Sequence, residues 1–473
     1  MIQKTRDTAS LPKSVHLIAV CGTGMGALAG MFKDAGFQVS GSDHRVYPPM
    51  STFLEGQGIK IMEGFQPENL SHSPDLVVVG NAVSRDNPEI VRMFEMDLPY
   101  LSFPQALKQF FIQDKKLLVV AGTHGKTTTA SLLAWILESA GFDPGFMIGG
   151  ILKNFGRNYK TGSGPYFVVE GDEYDTAFFD KGPKFLHYTP SRAIITSVEF
   201  DHADIYRDLN HVKEAFSKFI AAIPQDSLLA ACNHYPAVME LVPKGSCRTV
   251  TYGLNESAEW RIKDLLFESP KAHFTVVRNG ESFGRFRAPL MGKHNLLNAL
   301  SVIAVAHDIG LSIQQIAEGL ETFEGVKRRQ EIRGEKRGVT IIDDFAHHPT
   351  AVKETIGAVR AFYSNKRLVA VFEPRSNSSR RNIFQREYSD SFDSADLVCV
   401  RKPTLLEKIP VDERFSSEQL AADLESRGID SHCFPDTDAI IEFLEKNLRS
   451  DDIVLIMSNG GFDNIHERLL AAL

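Results

Sequence analysis

The chain of 473 residues carries 52 Lys and Arg against 60 Asp and Glu, a formal net charge of −8, with 43% hydrophobic and 24% charged residues. That composition is globular, and the length implies about three domains. The acidic balance argues against nucleic acid as the main partner, and no apolar run approaches the ~20 residues that span a membrane. The opening residues Met1-Ile2-Gln3-Lys4-Thr5-Arg6-Asp7 lack an apolar signal core. Cys21, Cys232, Cys247, Cys399 and Cys433 are scattered without a Cys-x-x-Cys pair, which suggests a reducing cytoplasm and no structural zinc.

The first segment, 1–115, opens with an apolar strand, Val15 to Val20, and the turn Cys21-Gly22-Thr23-Gly24-Met25-Gly26. A helix and a second strand, Phe37 to Ser40, end at Gly41-Ser42-Asp43. A βαβ unit with a Gly-rich first turn and a following acid points to a nucleotide diphosphate on the helix N-terminus. A third strand, Asp75 to Gly80, leads to Asn81-Ala82-Val83 at the carboxyl edge of the sheet, where open α/β folds bind ligands.

The second segment, 116–326, begins with the most informative run in the chain, Leu117-Leu118-Val119-Val120-Ala121-Gly122-Thr123-His124-Gly125-Lys126-Thr127-Thr128. A buried strand turns through glycines into a helical pattern, Thr129 to Leu137. This is a phosphate-binding loop: backbone N–H groups and the helix N-terminus meet phosphate, Lys126 reaches the terminal phosphates, and Thr127 offers a hydroxyl to Mg²⁺. Val120 stands where the usual signature has another glycine. Two more strands run into acids, Glu170-Gly171-Asp172-Glu173 and Glu199-Phe200-Asp201-His202, and such oxygen donors suit Mg²⁺. The third segment, 327–473, repeats the pattern, with Asp343-Asp344-Phe345-Ala346-His347-His348, Glu373-Pro374-Arg375-Ser376-Asn377-Ser378-Ser379-Arg380-Arg381 and Ser458-Asn459-Gly460-Gly461 each after a strand. Its arginines suit a carboxylate or phosphate. The fold class is therefore α/β, with three domains that are each an open, mainly parallel sheet with helices.

Taken in order, these motifs resemble the Mur ligase family, the ATP-dependent amide-forming enzymes of peptidoglycan metabolism. The resemblance rests on 122–128, Glu170, Asp201-His202, Met291-Gly292-Lys293-His294-Asn295-Leu296-Leu297-Asn298, Phe323-Glu324-Gly325-Val326-Lys327-Arg328-Arg329 and Asp343 to Pro349. It implies a Rossmann-like UDP-sugar domain, a central ATPase domain and a Rossmann-like domain for the amine substrate. It implies ATP and Mg²⁺, a monomer or weak homodimer, and small-molecule substrates. Gly122, Thr123, His124, Gly125, Lys126, Thr127, Thr128, Asn295, Arg329 and Asp344 would hold ATP. Thr127 and Glu170 would bind one metal ion and His202 a second, with Glu173 a weaker candidate. His348 would steer the amine or the ATP, beside Lys126, Glu170, His202 and Asp344 as catalytic groups. No carbamylated lysine is assigned: its place falls on Ser217, with Lys213 and Lys218 offset.

The run Gly22-Thr23-Gly24-Met25-Gly26, with Ser42, Asp43 and Asn81, resembles a UDP-N-acetylmuramate site. Two branches of the family share it, one adding L-alanine and one adding the recovered tripeptide L-alanyl-γ-D-glutamyl-meso-diaminopimelate. Val46-Tyr47-Pro48-Pro49-Met50-Ser51-Thr52, Asp172 to Asp180, Glu373 to Asn377 and Met457 to Phe462 look more like the tripeptide branch. Arg375, Asn377, Arg380 and Asn459 would read the peptide. Hinges are expected near Lys115-Lys116 and Val326-Lys327. An NAD-dependent oxidoreductase, suggested by Gly22 to Gly26 and Asp43, leaves the 122–128 loop without a role. A nucleotide-gated binding module would hydrolyse ATP without the sugar and peptide substrates.

Overall fold

The computed structural model describes residues 12–46, 50–268, 270–407 and 409–473. The signal-peptide reading at Met1 to Asp7 and the residues Tyr47-Pro48-Pro49 lie outside them. Among the described residues three large sheets follow one another along the chain, with a two-stranded ribbon, Asp175–Ala177 against Asp180–Pro183, in the second segment. The first holds five parallel strands in the spatial order Lys60–Glu63, Gln38–Asp43, Ser14–Ile18, Leu76–Val79, Tyr100–Ser102. Strand order reverses beside Ser14–Ile18, so a crevice opens at its carboxyl end between the Gly22 turn and Asn81.

The second sheet has ten strands. Its parallel centre runs Arg248–Gly253, Leu228–Cys232, Arg192–Ile195, Lys116–Ala121, Tyr166–Gly171. An antiparallel meander, Trp260–Glu268, Lys271–Arg278 and Glu281–Ala288, extends one edge, and Arg157–Lys160 pairs antiparallel at the other. The middles of these parallel strands are apolar because helices cover both faces, with Lys116, Arg192 and Glu170 at their ends. The third sheet has six strands, antiparallel only at Glu331–Lys336 against Val339–Asp344.

Several strands run further than their apolar residues suggest. Asp43, Glu170 and Asp343-Asp344 are in strand pairing, because the backbone ladder continues past the last core side chain. The phosphate-loop helix likewise starts at the loop itself, Lys126–Ser139.

The cores differ in continuity. One cluster joins the first sheet to the near face of the second, with Phe32, Phe103, Tyr159, Phe167 and Phe216 all buried in it. The third sheet has its own clusters, and Phe200 is the residue of the second body that packs against them.

Candidate active site

The strand Lys116–Ala121 lies between Tyr166–Gly171 and Arg192–Ile195, so both acidic turns open beside its loop. Gly122 and Gly125 have φ of +135° and +80°, conformations that glycine reaches without strain. A Cβ on Gly125 would stand 2.7 Å from Asn298 Oδ1. The loop is pinned to the neighbouring turn: Thr123 N–H donates to the Ser197 carbonyl (3.1 Å), His124 N–H to Ser197 Oγ (2.9 Å) and Glu199 N–H to Thr123 Oγ1 (2.9 Å).

Thr123, His124, Gly125, Lys126, Thr127, Thr128, Glu170, His202, Asn295, Arg329 and Asp344 line one cavity of about 350 Å³. Gly122 and His348 are not among its lining residues. Lys126 Nζ donates to the Gly122 carbonyl (2.6 Å) and to Glu173 Oε2 (2.8 Å). Burial works against the ammonium, but Glu173, Asp172 and Glu170 outweigh it and hold its pKa above the usual lysine value. Burial pushes Glu173 the other way from Lys126 and His202, which win and hold it near 2. Glu173 thus sits at the centre, with His202 Nε2 3.3 Å away. His202 itself adopts φ +52°, a left-handed conformation at the exit of its turn.

Thr127 Oγ1 and Glu170 Oε2 lie 3.2 Å apart, and Gly149 N–H donates to Glu170 Oε1 at 2.6 Å. Burial, and then Asp172, raise the Glu170 pKa, for the two half-buried carboxylates share this corner. A hydroxyl beside crowded carboxylates is a donor set that fits Mg²⁺. Lys213, near the expected carbamylation position, is 2.6 Å from Glu240 instead.

The third body closes the cavity. Arg329, at the hinge, reaches Thr127 Oγ1 (3.4 Å) and lies over the Phe345 ring (4.5 Å). Asp344 accepts from Gln330 N–H (2.8 Å) and Ala346 N–H (2.7 Å), and burial raises its pKa against the pull of Arg329. Asn295 Nδ2 donates to the Met291 carbonyl and Gln330 Oε1, both at 3.0 Å. His348 stands at the seam beside this cavity, near His124 and Glu199. Its Nδ1 accepts Thr350 N–H (3.2 Å) as the N-cap of the helix Pro349–Phe362, and its Nε2 faces the Phe200 carbonyl (3.1 Å). One nitrogen thus caps a helix of the third body and the other meets the second body. Burial, then His124, push the His348 pKa down to about 3.

A second cavity, about 310 Å³, joins the crevice of the first body to these acids and is lined by Gly22, Gly24, Met25, Asn81, Glu170 and Asp172. Gly26 stands behind it, where a Cβ would run into Met50. Ser42 is fully buried and donates to Glu89 Oε2 (2.6 Å), and Asp43 accepts Cys21 N–H (2.8 Å). Asp43 therefore braces the Gly-rich turn from beneath, while Ser42 is tied to Glu89 inside the first body. An alternating strand placed Ser42 inward, which the motif reading did not register.

The predicted peptide residues divide. Asn377 Nδ2 donates to Asp204 Oδ2 (3.0 Å) across the seam, and Arg380 is held by the Leu405 carbonyl (2.6 Å) and Asn377 Oδ1 (2.7 Å). Arg375 keeps more freedom, with Glu373 at 3.6 Å. Asn459 Oδ1 is buried without a partner among the described residues. Sequence reasoning placed Glu199 in an acidic strand end without giving it a partner, and it missed the roles of Thr350, Ser378 and Arg401. Glu199 pairs with His124 (2.9 Å) and accepts from Thr350 Oγ1 (3.0 Å), while Ser378 Oγ donates to Asp201 Oδ1 (2.8 Å). Arg401 binds buried Glu373 at 2.6 Å. The acid three residues before His202 was the available signal for Glu199.

Three family models match in chain order: the Mur ligase family catalytic domain over residues 14–115, the Mur ligase middle domain over 120–306 and the Mur ligase glutamate ligase domain over 328–460. A UDP-N-acetylmuramate–L-alanyl-γ-D-glutamyl-meso-2,6-diaminoheptandioate ligase of Escherichia coli is 39% identical, covering 97% of this chain and 98% of that protein. A UDP-N-acetylmuramate–L-alanine ligase of Desulforapulum autotrophicum is 34% identical over 97% of this chain and 98% of its own length. The crystal structure of a murein peptide ligase from Psychrobacter arcticus superposes with a TM-score of 0.71 at 35% identity, over 97% of this chain and 98% of that one. Matched by three family models in order and by relatives along nearly its whole length, this chain belongs to the Mur ligase family.

Proposed function

We propose that the protein is an ATP-dependent ligase that joins UDP-N-acetylmuramate to the tripeptide L-alanyl-γ-D-glutamyl-meso-diaminopimelate in peptidoglycan recycling. One observation carries the reaction type. The phosphate loop, the acids of two neighbouring strands and a hinge arginine share one cavity, and a second cavity leads from it to a nucleotide-type crevice. The tripeptide, rather than alanine, is favoured by the 39% identical relative over the 34% identical one.

In this reading a carboxylate oxygen of the sugar nucleotide attacks the γ-phosphorus of ATP. The bond to the bridging oxygen breaks and ADP leaves, giving an acyl phosphate. The peptide amine then attacks the acyl carbon, the carbon–oxygen bond to phosphate breaks, and the amine loses a proton. Every reactant is anionic, so the site must offset charge at close range. Lys126 supplies one cation, moving from Glu173 to the phosphates. Thr127 and Glu170 would hold Mg²⁺, with His202 and Glu173 beside a second ion; the metal supplies positive charge against the triphosphate. Arg329 adds a guanidinium at the same corner, and Asp344 orders the backbone that carries it. Contacts from the third body to the Asp201-His202 turn exclude water while the acyl phosphate exists. The three bodies divide as 1–115 for the UDP-sugar, 116–326 for ATP and 327–473 for the peptide, and the setting is the cytoplasm. Among the described residues, no helix is long and apolar enough to cross a membrane.

The test supplies Mg-ATP and UDP-N-acetylmuramate with either the tripeptide or L-alanine, and follows phosphate release and product mass. Condensation with the tripeptide alone supports the reading. Condensation with alanine alone moves the protein to the other branch, and phosphate release without either acceptor removes the ligase reading.

A further inference from the structure

The cavity between the first and second bodies poses an electrostatic problem. Glu170 and Asp172 line one wall, yet the substrate proposed for it brings a carboxylate and a diphosphate. Like charges brought together in a partly buried space repel strongly, so a cation must face the ligand. Lys126 does not line this cavity and is held by Glu173 on the ATP side. Among the described residues that line it, the only basic side chain is Lys184.

Lys184 is held in place. Its side chain is 13% exposed, its Nζ lies 4.2 Å from the Tyr174 ring centre and 5.3 Å from that of Phe103. The backbone around it is clipped to the acidic turn: Lys184 N–H donates to the Tyr174 carbonyl (3.3 Å) and Phe185 N–H to the Asp172 carbonyl (3.2 Å). Phe103 in turn lies against the Gly-rich turn, 3.5 Å from where a Cβ on Gly24 would be. The ammonium therefore stands one ring away from the first body while belonging to the second. Of its three N–H donors, one is directed at Asp172 Oδ2, 3.3 Å away, and the ring faces accept no directed bond. Donor capacity remains for a ligand. A lysine with a purely structural task in this place would need only Asp172.

We propose that Lys184 binds an anionic group of the sugar nucleotide, and so determines affinity for that substrate and not for ATP. The proposal rests on the ligase reading above. Two anions of UDP-N-acetylmuramate have the required chemistry, the lactyl carboxylate and the diphosphate, and the experiment separates them.

Full-length protein and the variants Lys184→Met, Lys184→Gln and Lys184→Arg are titrated calorimetrically with UDP-N-acetylmuramate, with UDP-N-acetylglucosamine, which lacks the carboxylate, and with ATP. Loss of a charge-assisted contact should weaken UDP-N-acetylmuramate about tenfold or more in both neutral variants, with Arg restoring most of it and ATP unchanged. Weakening confined to UDP-N-acetylmuramate assigns the carboxylate, and equal weakening of both sugar nucleotides assigns the diphosphate. Unchanged binding of both, or a parallel loss of ATP binding, overturns the proposal. Wild-type protein that binds no UDP-N-acetylmuramate overturns the ligase reading itself. Gln and Arg keep the test open should Met prevent folding.

Discussion

The Lys126 ammonium and the Glu173 carboxylate are 2.8 Å apart, and their side chains are 12% and 2% exposed. The ammonium of the phosphate-loop lysine thus has a protein anion as its buried partner. Removing that anion leaves a buried charge unpaired, which costs on the order of 3–5 kcal/mol. Glu173→Gln should therefore lower the melting temperature sharply without nucleotide, and ATP should restore much of the loss by supplying the missing charge. Equal ATP stabilisation of variant and wild type in thermal denaturation would refute this exchange.

Gly125 combines a positive φ of +80° with Asn298 close to its missing side chain. Gly125→Ala adds a left-handed penalty of about 1–2 kcal/mol and displaces Asn298. Affinity for ATP should fall at least about tenfold while sugar-nucleotide binding holds. Titration of both ligands checks it.

His348 is neutral in the seam, its pKa depressed from 6.5 to about 3 by burial and by His124, with Asp201 and Glu199 pulling the other way. Between those two values the unfolded chain binds a proton that the folded seam does not. The contribution of His348 to stability is thus fully present above pH 6.5 and is lost as pH falls toward 3, by up to about 1.4 kcal/mol per pH unit. His348→Asn should be less stable at neutral pH and less sensitive between pH 6.5 and 5. Parallel melting curves for the two proteins across that range would contradict it.

Arg375 and Arg401 meet the same carboxylate, Glu373, at 3.6 and 2.6 Å, with side chains 37% and 9% exposed. The buried one is a buttress and the open one is available to substrate. Arg401→Met should destabilise by about 3–5 kcal/mol in chemical denaturation. Arg375→Ala should leave stability nearly unchanged and raise the KM for the tripeptide by about tenfold or more. The reverse pattern would exchange their roles.

The phosphate loop and its acids were legible because each is a short run directly after an apolar strand, and parallel topology gathers strand ends on one edge. Asn295 and Arg329 were reachable only through the family resemblance, since a helix asparagine and a hinge arginine carry no local signal. The partners of Glu199, Thr350 and Arg401 were not legible, because they lie elsewhere in the sequence: Glu199 and Thr350 are 151 positions apart. Lys184 lies in no motif, although its partners Asp172 and Tyr174 are near it in the chain. Ser42 and His348 were named through the family resemblance. Ser42 points into the core, and His348 caps a helix while facing Phe200, contacts that no local run of residues reveals.

Asp201 and His202 are consecutive, yet they face different bodies: Asp201 takes the Ser378 hydroxyl of the third, His202 the Glu173 carboxylate of the second. A single peptide unit therefore ties the third body to the acidic corner beside the phosphate loop. Under the proposed function, withdrawal of the third body would free Asp201 and loosen the turn on which His202 is mounted. ATP turnover would then depend on the acceptor's body being in place.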